Sequence, residues 1–265
     1  MQLDYSTSLW ASSFGLGDLA SVATLNLGGN VRLIVASRSG AGPATTSLGT
    51  AAEPQWQGDV VYSGQSHPSF GWQDANGTLR LFDISALNAA MTMTDLSPQG
   101  SFAARQIVSL PFGGTILDAT AAQVLAFSTG DWLALARRMS EGLTLFRLSQ
   151  TGTLSDEITL PDTDKTYVKT VSDTATISRG PDQLLLAISA LENGISSYRI
   201  SAQGDVEWID SYGAENGLAV NGLAMVKTLR MGDVDYAILA ATNSSSLTVL
   251  RVNPMGVFFC RRSCN

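Results

Sequence analysis

Residues 142–154, GLTLFRLSQTGTL, decide the fold because the chain repeats their pattern twice further on. Residues 194–206 read GISSYRISAQGDV, and residues 246–258 read SLTVLRVNPMGVF. Apolar and polar residues alternate within each copy, which is the pattern of a strand with one buried face. The copies begin 52 residues apart by their numbers, so the chain repeats one structural unit at a fixed period.

One column of this repeat carries a large side chain. The aligned copies place Phe146, Tyr198 and Leu250 in the column, and Phe82 is predicted to hold the same position in an earlier copy. We expect these four side chains to occupy equivalent positions in successive four-stranded sheets, buried between neighbouring sheets.

A denser apolar run begins ten residues before each of the three phrases. The runs are WLALARR from Trp132, LLLAISA from Leu184 and YAILAAT from Tyr236, and an earlier one is RLIVASR from Arg32. Continuous apolar runs of this length predict strands that are buried on both faces. The residues between run and phrase, such as ENG at 192–194 and, in the earlier copy, ANG at 75–77, favour tight hairpins.

Further candidate strands precede each run and follow each phrase, which gives four strands per unit. The best helical candidate, DISALNAAMTMTDL at residues 83–96, is interpreted as a short excursion. Four-stranded units repeated at about forty to fifty residues are typical of a β-propeller, because a single twisted sheet buries both faces only when neighbouring sheets pack against it. The sequence therefore predicts an all-β fold, a β-propeller of about five four-stranded blades, complete or a fragment of a larger propeller. The propeller domain is predicted over residues 1–258 and an irregular tail over residues 259–265.

Composition and charge exclude several classes of function. The 265 residues are 45% hydrophobic and 15% charged, with a net charge of −7 and one histidine. An acidic chain of this kind repels phosphate backbones, so we expect no nucleic-acid partner. No run of about eighteen apolar residues occurs, so membrane insertion is not expected. The first residues lack the basic and apolar segments of a signal peptide, and the oligomeric state is left open.

The later repeats also carry a resemblance. The run from Tyr167, which begins YVKTVSDTATISRG and ends LTVLRVNP, resembles the N-terminal propeller region of large secreted proteins of marine alphaproteobacteria that carry RTX calcium-binding repeats. The hairpin text GLTLFRLSQTGTL is more distantly similar to lactonase-type propellers. The first resemblance implies an extracellular or cell-surface location. The calcium-binding nonapeptides are absent from this sequence, so calcium binding is not carried over.

The text after Pro254, MGVFFCRRSCN, departs from the expected outer strand, which leaves a truncated end and a native tail as equal alternatives.

Candidate binding residues are few. His67, in GQSHPSF, is the only histidine, and we interpret it as a solvated loop residue because no Ser-His-Asp or Cys-His motif accompanies it. Trp56 and Trp72 flank that loop and, with His67, are the candidates for a patch that stacks carbohydrate or binds protein. Cys260 and Cys264 are too few for a disulfide framework and form either a local bridge or free thiols. Neither a metal site nor a cofactor is predicted.

These features favour a non-catalytic propeller module that serves as an interaction or scaffold part of a secreted or surface-associated bacterial protein. Its partner would be a protein or carbohydrate surface. One alternative is a lactonase-like hydrolase with a metal or carboxylate site at the central channel. The other is a structural component of a secreted or phage-like particle. The hydrolase requires three or more Asp, Glu, Asn or His side chains to converge at one end of the channel.

Overall fold

The chain is built from short antiparallel strands, as the alternating pattern predicts. A computed structural model describes residues 19–27, 30–37, 44–48, 55–56, 66–73, 79–85, 90–96, 103, 106–108, 111, 119–137, 142–149 and 151–260. Within these ranges twenty strands form five sheets of four strands each, and strand order in every sheet follows chain order. Five successive four-stranded meanders are the architecture of a β-propeller, so the predicted fold class is confirmed.

The contacts divide the chain into two compact units, Met1–Ser109 and Leu110–Asn265, where the sequence analysis expects a single domain over residues 1–258. The first unit holds two sheets. Their strands are β1 Leu19–Leu27, β2 Asn30–Ser37, β3 Ala44–Leu48 and β4 Gln55–Trp56 in the first sheet, and β5 Ser66–Gln73, β6 Leu79–Ser85, β7 Ala90–Leu96 and β8 Gln106–Val108 in the second.

The second unit holds the three sheets that carry the clearest repeats. The third sheet has β9 Ala119–Leu125, β10 Asp131–Arg137, β11 Gly142–Leu148 and β12 Leu154–Pro161. The fourth has β13 Val171–Arg179, β14 Asp182–Ser189, β15 Gly194–Ile200 and β16 Val206–Tyr212. The fifth has β17 Leu223–Met231, β18 Val234–Ala241, β19 Ser246–Val252 and β20 Phe258–Cys260.

The column of large side chains is confirmed for three of its four members. Phe146, Tyr198 and Leu250 lie on the third strands of consecutive sheets, and all three are buried. Each lies opposite a buried residue of the second strand, as Phe146 does opposite Leu133. The prediction is wrong for Phe82, which is buried but lies on β6, the second strand of its sheet.

Phe82 differs because the hairpin that precedes its strand joins the first and second strands of the sheet. Residues 74–78 join β5 to β6, the first and second strands, whereas the matching turns further on join second strands to third. The second strand LRLFDIS alternates apolar and polar residues as the third strands further on do, so alternation alone does not show which strand of a sheet it forms. The short helical excursion expected at residues 83–96 is also wrong, because residues 83–85 belong to β6 and residues 90–96 form β7.

The turn after each third strand is the most regular feature of the second unit. In the third sheet Ser149 N donates to Thr153 O at 2.9 Å and Gly152 N donates to Ser149 O at 2.9 Å. The same two bonds, each 3.0 Å, recur 52 residues later from Ser201 and Gly204, and again from Asn253 and Gly256. The glycine has a φ of 81°, 92° and 95° in turn, a region that a side chain disfavours.

The core lies between neighbouring sheets, and β14 shows how one strand supplies two cores. Leu184, Leu186 and Ile188 pack in the cluster shared with the fifth sheet. Leu185 and Ala187, which alternate with them, pack in the cluster shared with the third sheet. The prediction that this dense run is buried on both faces is therefore confirmed.

The first strands of neighbouring sheets are joined by polar bonds. Thr120 Oγ1 donates to Val171 O at 2.5 Å, and Ser172 Oγ donates to Leu223 O at 2.7 Å. Register irregularities at the starts of these strands accompany both hydroxyl residues. Such bulges re-aim a side chain out of its sheet, which lets each hydroxyl reach the neighbouring first strand.

The end of the chain differs from the predicted tail. Strand β20 continues through Cys260 and pairs with β19, so residues 259 and 260 are not irregular. Cys264 and the other residues after 260 lie outside the described residues, and the proposed Cys260–Cys264 bridge stays a prediction.

Candidate functional site

The cleft between the outer strands of the third and fourth sheets is the best candidate for a binding site. It has a volume of about 300 Å³, at the lower end of the range of ligand pockets. The described residues that line it come from β12, the connection that follows β12, β15 and β16: Ile158, Thr159, Leu160, Pro161, Thr163, Lys165, Thr166, Tyr198, Val206 and Trp208. Below, this site is called the outer cleft.

Tyr167 holds the connection that forms one wall of the outer cleft. Its ring lies against Gly194 and Gly213 so closely that a Cβ atom on either glycine would overlap it. Its backbone N donates to Ser196 Oγ at 2.7 Å, and its hydroxyl donates to Glu215 Oε1. Because Tyr167 is fixed on the fourth sheet, the preceding residues of the connection are held over the cleft.

Tyr198 contributes a buried phenol to the outer cleft. The residue is 4% exposed, and its hydroxyl oxygen has no hydrogen-bond partner. The nearby hydroxyl of Thr166 is already bonded to Thr163, and that of Ser196 is bonded to Ser211 and to the Tyr167 amide. Burial raises the pKa of Tyr198 to about 12, an effect that the nearby Thr166 and Ser196 hydroxyls partly offset, so the phenol is protonated at neutral pH.

Trp208 contributes an exposed aromatic surface. Its side chain projects from the outermost strand of the fourth sheet and is 41% exposed. The indole Nε1 donates to Ser211 Oγ at 3.0 Å, which fixes the orientation of the ring. Lys165 Nζ lies 5.8 Å from the ring centroid, within the range of a cation–π contact. The cleft therefore combines an apolar wall, an aromatic surface, a cation and an unused phenol.

Asp173 is the candidate for a catalytic carboxylate on the first strands of the sheets. Among the five first strands, all of whose residues are described, it is the single carboxylate. Its oxygens accept from Thr174 N at 2.9 Å and from Val226 N at 3.0 Å, and Lys227 Nζ lies 3.6 Å away. Burial raises its pKa above the ordinary value of 3.8, and Lys227 and the two amides partly offset that effect.

The hydrogen bonds that Asp173 already makes limit its use as a catalytic carboxylate. Glycoside hydrolysis generally requires two carboxyl groups across the scissile bond. Asp173 instead links the first strands of the fourth and fifth sheets through the amide of Val226. In the part of the chain that the structure describes, no group of three or more His, Cys, Asp or Glu side chains could hold a metal ion.

The three predicted binding residues lie on strands of the first unit. Trp56 is in β4, whereas His67 and Trp72 are in β5, so the tryptophans belong to different sheets. The expectation that His67 lies in a loop is wrong. Pro68 follows it at a register irregularity between His67 and Phe70, and a bulge is where a strand tolerates proline, which lacks an amide hydrogen. The side chains of Trp56, His67 and Trp72 lie outside the described residues, and their binding role stays a prediction.

Sequence reasoning missed the outer cleft, although one signal was present. Residues 205–212, DVEWIDSY, place Trp208 in the strand of the fourth sheet that has no buried residue, where a large aromatic is not needed for a core. An aromatic side chain on an outer strand is a better marker of a binding surface than one in a dense apolar run. Tyr198 and Trp208 are register partners on β15 and β16 of the fourth sheet. The contact of Trp208 with Lys165 depends on how the connection after β12 packs on that sheet, which the sequence does not show.

The fold and its sites define a protein of the β-propeller class, and known structures support this class. A candidate exo-β-1,3-galactanase from Bifidobacterium bifidum s17 aligns with a TM-score of 0.63 at 13% identity, covering 93% of this chain and 92% of that one. A GH43_1 enzyme from Xanthomonas citri aligns with a TM-score of 0.57 at 12% identity, covering 92% and 91%. An exo-β-1,3-galactanase from Phanerochaete chrysosporium, crystallised with β-1,3-galactotriose, gives 0.59 at 11% identity, covering 93% and 63%.

Identities this low show a shared fold and leave the activity of this chain open. No protein family model and no curated protein matches the sequence. Within the described ranges, no helix has the length and hydropathy needed to cross a bilayer.

Proposed function

We propose that this chain is a non-catalytic β-propeller module that binds carbohydrate. The observation that carries the proposal is the outer cleft, in which the half-exposed ring of Trp208 stands beside the buried phenol of Tyr198. Sugar rings have an apolar face that packs on aromatic side chains and hydroxyl groups that need hydrogen-bond partners. One structural neighbour is an exo-β-1,3-galactanase crystallised with β-1,3-galactotriose, which agrees with this class of ligand.

Binding is favoured over turnover because of how Asp173 is used. A general acid or nucleophile must reach its substrate and exchange protons with it. Both oxygens of Asp173 accept backbone hydrogen bonds, and Lys227 lies beside it. This arrangement suits a link between sheets. The resemblance to secreted RTX-type proteins supports a location outside the cell or at its surface, which fractionation of cells that express the protein would test.

The proposal predicts that Trp208→Ala weakens saccharide binding. The whole protein is first screened against a panel of neutral and acidic oligosaccharides, and the affinity for the best one is then measured by calorimetry. Loss of an aromatic surface of this kind costs about 1–3 kcal/mol, or roughly a five- to hundredfold weaker affinity. Phe259→Ala is the matched control, because Phe259 is 50% exposed and lies on β20 of the fifth sheet.

Two results would contradict the proposed function. The first is the absence of binding to every saccharide on the panel. The second is release of reducing sugar or of aryl alcohol from glycosides, at a rate above buffer, by the purified protein. Equal losses of affinity in Trp208→Ala and Phe259→Ala would leave binding intact but remove it from the outer cleft.

A hydrolase is the second candidate, and the raised pKa of Asp173 is the observation that favours it. Carboxyl groups whose pKa is raised by burial are frequent in active sites. If the chain hydrolyses glycosides or lactones through this residue, Asp173→Asn will abolish turnover while the folded state persists, as judged by the near-ultraviolet circular dichroism spectrum. The non-catalytic proposal expects no turnover in either protein.

A further inference from the structure

The charge in the outer cleft is opposite to that of the chain. The sequence has 23 acidic and 16 basic residues, yet Lys165 is the one charged side chain among the ten described residues that line the cleft. Asp162, on the same connection, is not part of the lining. Its Oδ1 accepts from Thr166 Oγ1 and Val168 N, both at 3.4 Å. The lining therefore carries a cation and no carboxylate, although Asp162 and Glu192 lie close enough to Tyr198 for their charges to add to the rise of its pKa.

Two polar side chains that line the cleft, Tyr198 and Lys165, carry hydrogen-bond donors. Tyr198 donates one hydrogen through a phenol oxygen that has no partner in the protein. The ammonium of Lys165 can donate three hydrogen bonds and makes a cation–π contact with Trp208. Thr163 and Thr166 are bonded to each other at 3.1 Å, and Thr163 Oγ1 also accepts from Lys165 N at 3.2 Å. A ligand that supplies acceptors matches Tyr198 and Lys165, and an anionic one matches the charge of Lys165 best.

We propose that the outer cleft binds the uronic acid end of an acidic glycan. This inference rests on the proposed function and names its ligand class. The sugar ring packs on Trp208, the carboxylate accepts from the ammonium of Lys165, and a ring oxygen or hydroxyl accepts from the phenol of Tyr198. A cavity of about 300 Å³ suits a terminal sugar better than several consecutive ones.

Lys165 forms a stronger interaction with the ligand carboxylate than with the Trp208 ring. Its contact with Trp208 is exposed, and cation–π contacts are weak at exposed sites. A hydrogen bond between an ammonium and a carboxylate is stronger than one between neutral groups. Binding therefore moves the cation from the ring to the carboxylate and leaves the ring surface to the sugar.

The test uses the whole chain and two matched probes. One is a short oligosaccharide with a terminal uronic acid, and the other is the same oligosaccharide with that carboxyl group reduced to the alcohol. We expect the uronate probe to bind about tenfold more tightly at roughly 0.05 M salt, with the preference shrinking at about 0.5 M because salt screens exposed charges. Sodium acetate serves as a third probe and should not compete, because it lacks the ring.

Two variants of the cleft and two controls on the fifth sheet locate the effect. Lys165→Met should remove the preference for the uronate probe and leave affinity for the reduced probe within about twofold. Tyr198→Phe should weaken both probes about two- to tenfold without lowering the melting temperature, since it removes a buried hydroxyl that has no partner. Arg251→Met and Tyr236→Phe likewise remove a cation and a phenol hydroxyl, but on the fifth sheet, and should alter neither affinity.

The outcomes separate this inference from the proposed function. Equal affinity for the two probes, or an equal loss in Lys165→Met and Arg251→Met, overturns the uronate assignment while carbohydrate binding stands. Competition by acetate overturns it as well, because the site would then recognise a bare carboxylate. If neither probe nor any other saccharide binds, both the function and the inference are wrong.

Discussion

The fourth and fifth sheets have nearly the same sequence pattern and different surroundings. In β14 every residue from Gln183 to Ser189 is buried. In β18 buried and partly exposed residues alternate along the whole strand. The runs LLLAISA and YAILAAT are equally apolar, so the sequence predicts burial on both faces for each, and for β18 this is wrong. A strand's composition permits burial on two faces, but only a packed neighbour produces it.

The outer face of the fifth sheet shows what the difference means for side chains. Leu247 is 69% exposed, Met231 is 61% exposed, and Val249 is 46% exposed. Registers place Leu247 and Val249 opposite Ala240 and Ile238 on one face of β18. The other face of the same strand packs in the cluster shared with the fourth sheet. Within the described residues, the fifth sheet therefore contributes one apolar face to a core and exposes the other.

The largest expected effect breaks the core between these sheets. Leu186→Ala removes a fully buried side chain from the cluster that the fourth and fifth sheets share, and truncation of this kind costs about 2–5 kcal/mol of unfolding free energy. Val249→Ala, on the exposed face of the fifth sheet, should change it by about 0.5 kcal/mol or less. Urea denaturation measures both. A loss of more than 2 kcal/mol for Val249→Ala would show that this face is covered in solution.

A smaller effect compares equivalent turns of the two sheets. Gly204 and Gly256 both have positive φ, and a Cβ atom would lie 2.4 Å from the Trp132 ring at Gly204 but 3.1 Å from a Leu184 methyl at Gly256. We expect Gly204→Ala to cost about 2–4 kcal/mol, combining overpacking with backbone strain, and Gly256→Ala to cost less. Gly180→Ala, with a φ of 60° and open space around its Cβ, reports the strain alone. Equal losses at all three positions would refute the packing explanation.

The repeat made much of the fold predictable, because its features report local backbone geometry and not the position of a strand within its sheet. The period of 52 residues, the glycine turns and the alternation at Phe146, Tyr198 and Leu250 all report local backbone geometry, which a sequence carries. The second unit follows these signals closely. Phe82 was placed on the wrong strand because alternation does not number the strands of a sheet.

The outer cleft was less predictable for a different reason. Trp208 stands out in its strand, but nothing local to Tyr198 shows that its hydroxyl is left without a partner. That property arises because Thr166 and Ser196 are bonded elsewhere. Their positions depend on the connection that Tyr167 holds against Gly194 and Gly213. The sequence analysis favoured His67 and two tryptophans of the first unit because rare residue types are visible in a sequence, whereas an unused hydrogen bond is visible only in a structure.

The smallest expected effect concerns the pH dependence of stability at Asp173, on the boundary between the two sheets. Its counterpart 52 residues later, Met225, is 49% exposed, whereas Asp173 is covered by β17 and its pKa is raised, chiefly by burial. Because the folded state binds this proton more tightly than the unfolded state, the contribution of Asp173 is most favourable below its ordinary pKa of 3.8 and is lost as the pH rises through the raised value. The stability of the wild-type protein relative to Asp173→Asn should therefore improve as the pH falls from 7 to about 4.

Lys227 lowers this pKa, so Lys227→Met should raise it further and enlarge the pH effect. Urea denaturation of the three proteins across this range measures the differences, and a pH dependence that Lys227→Met makes weaker would contradict the assignment of burial as the main cause.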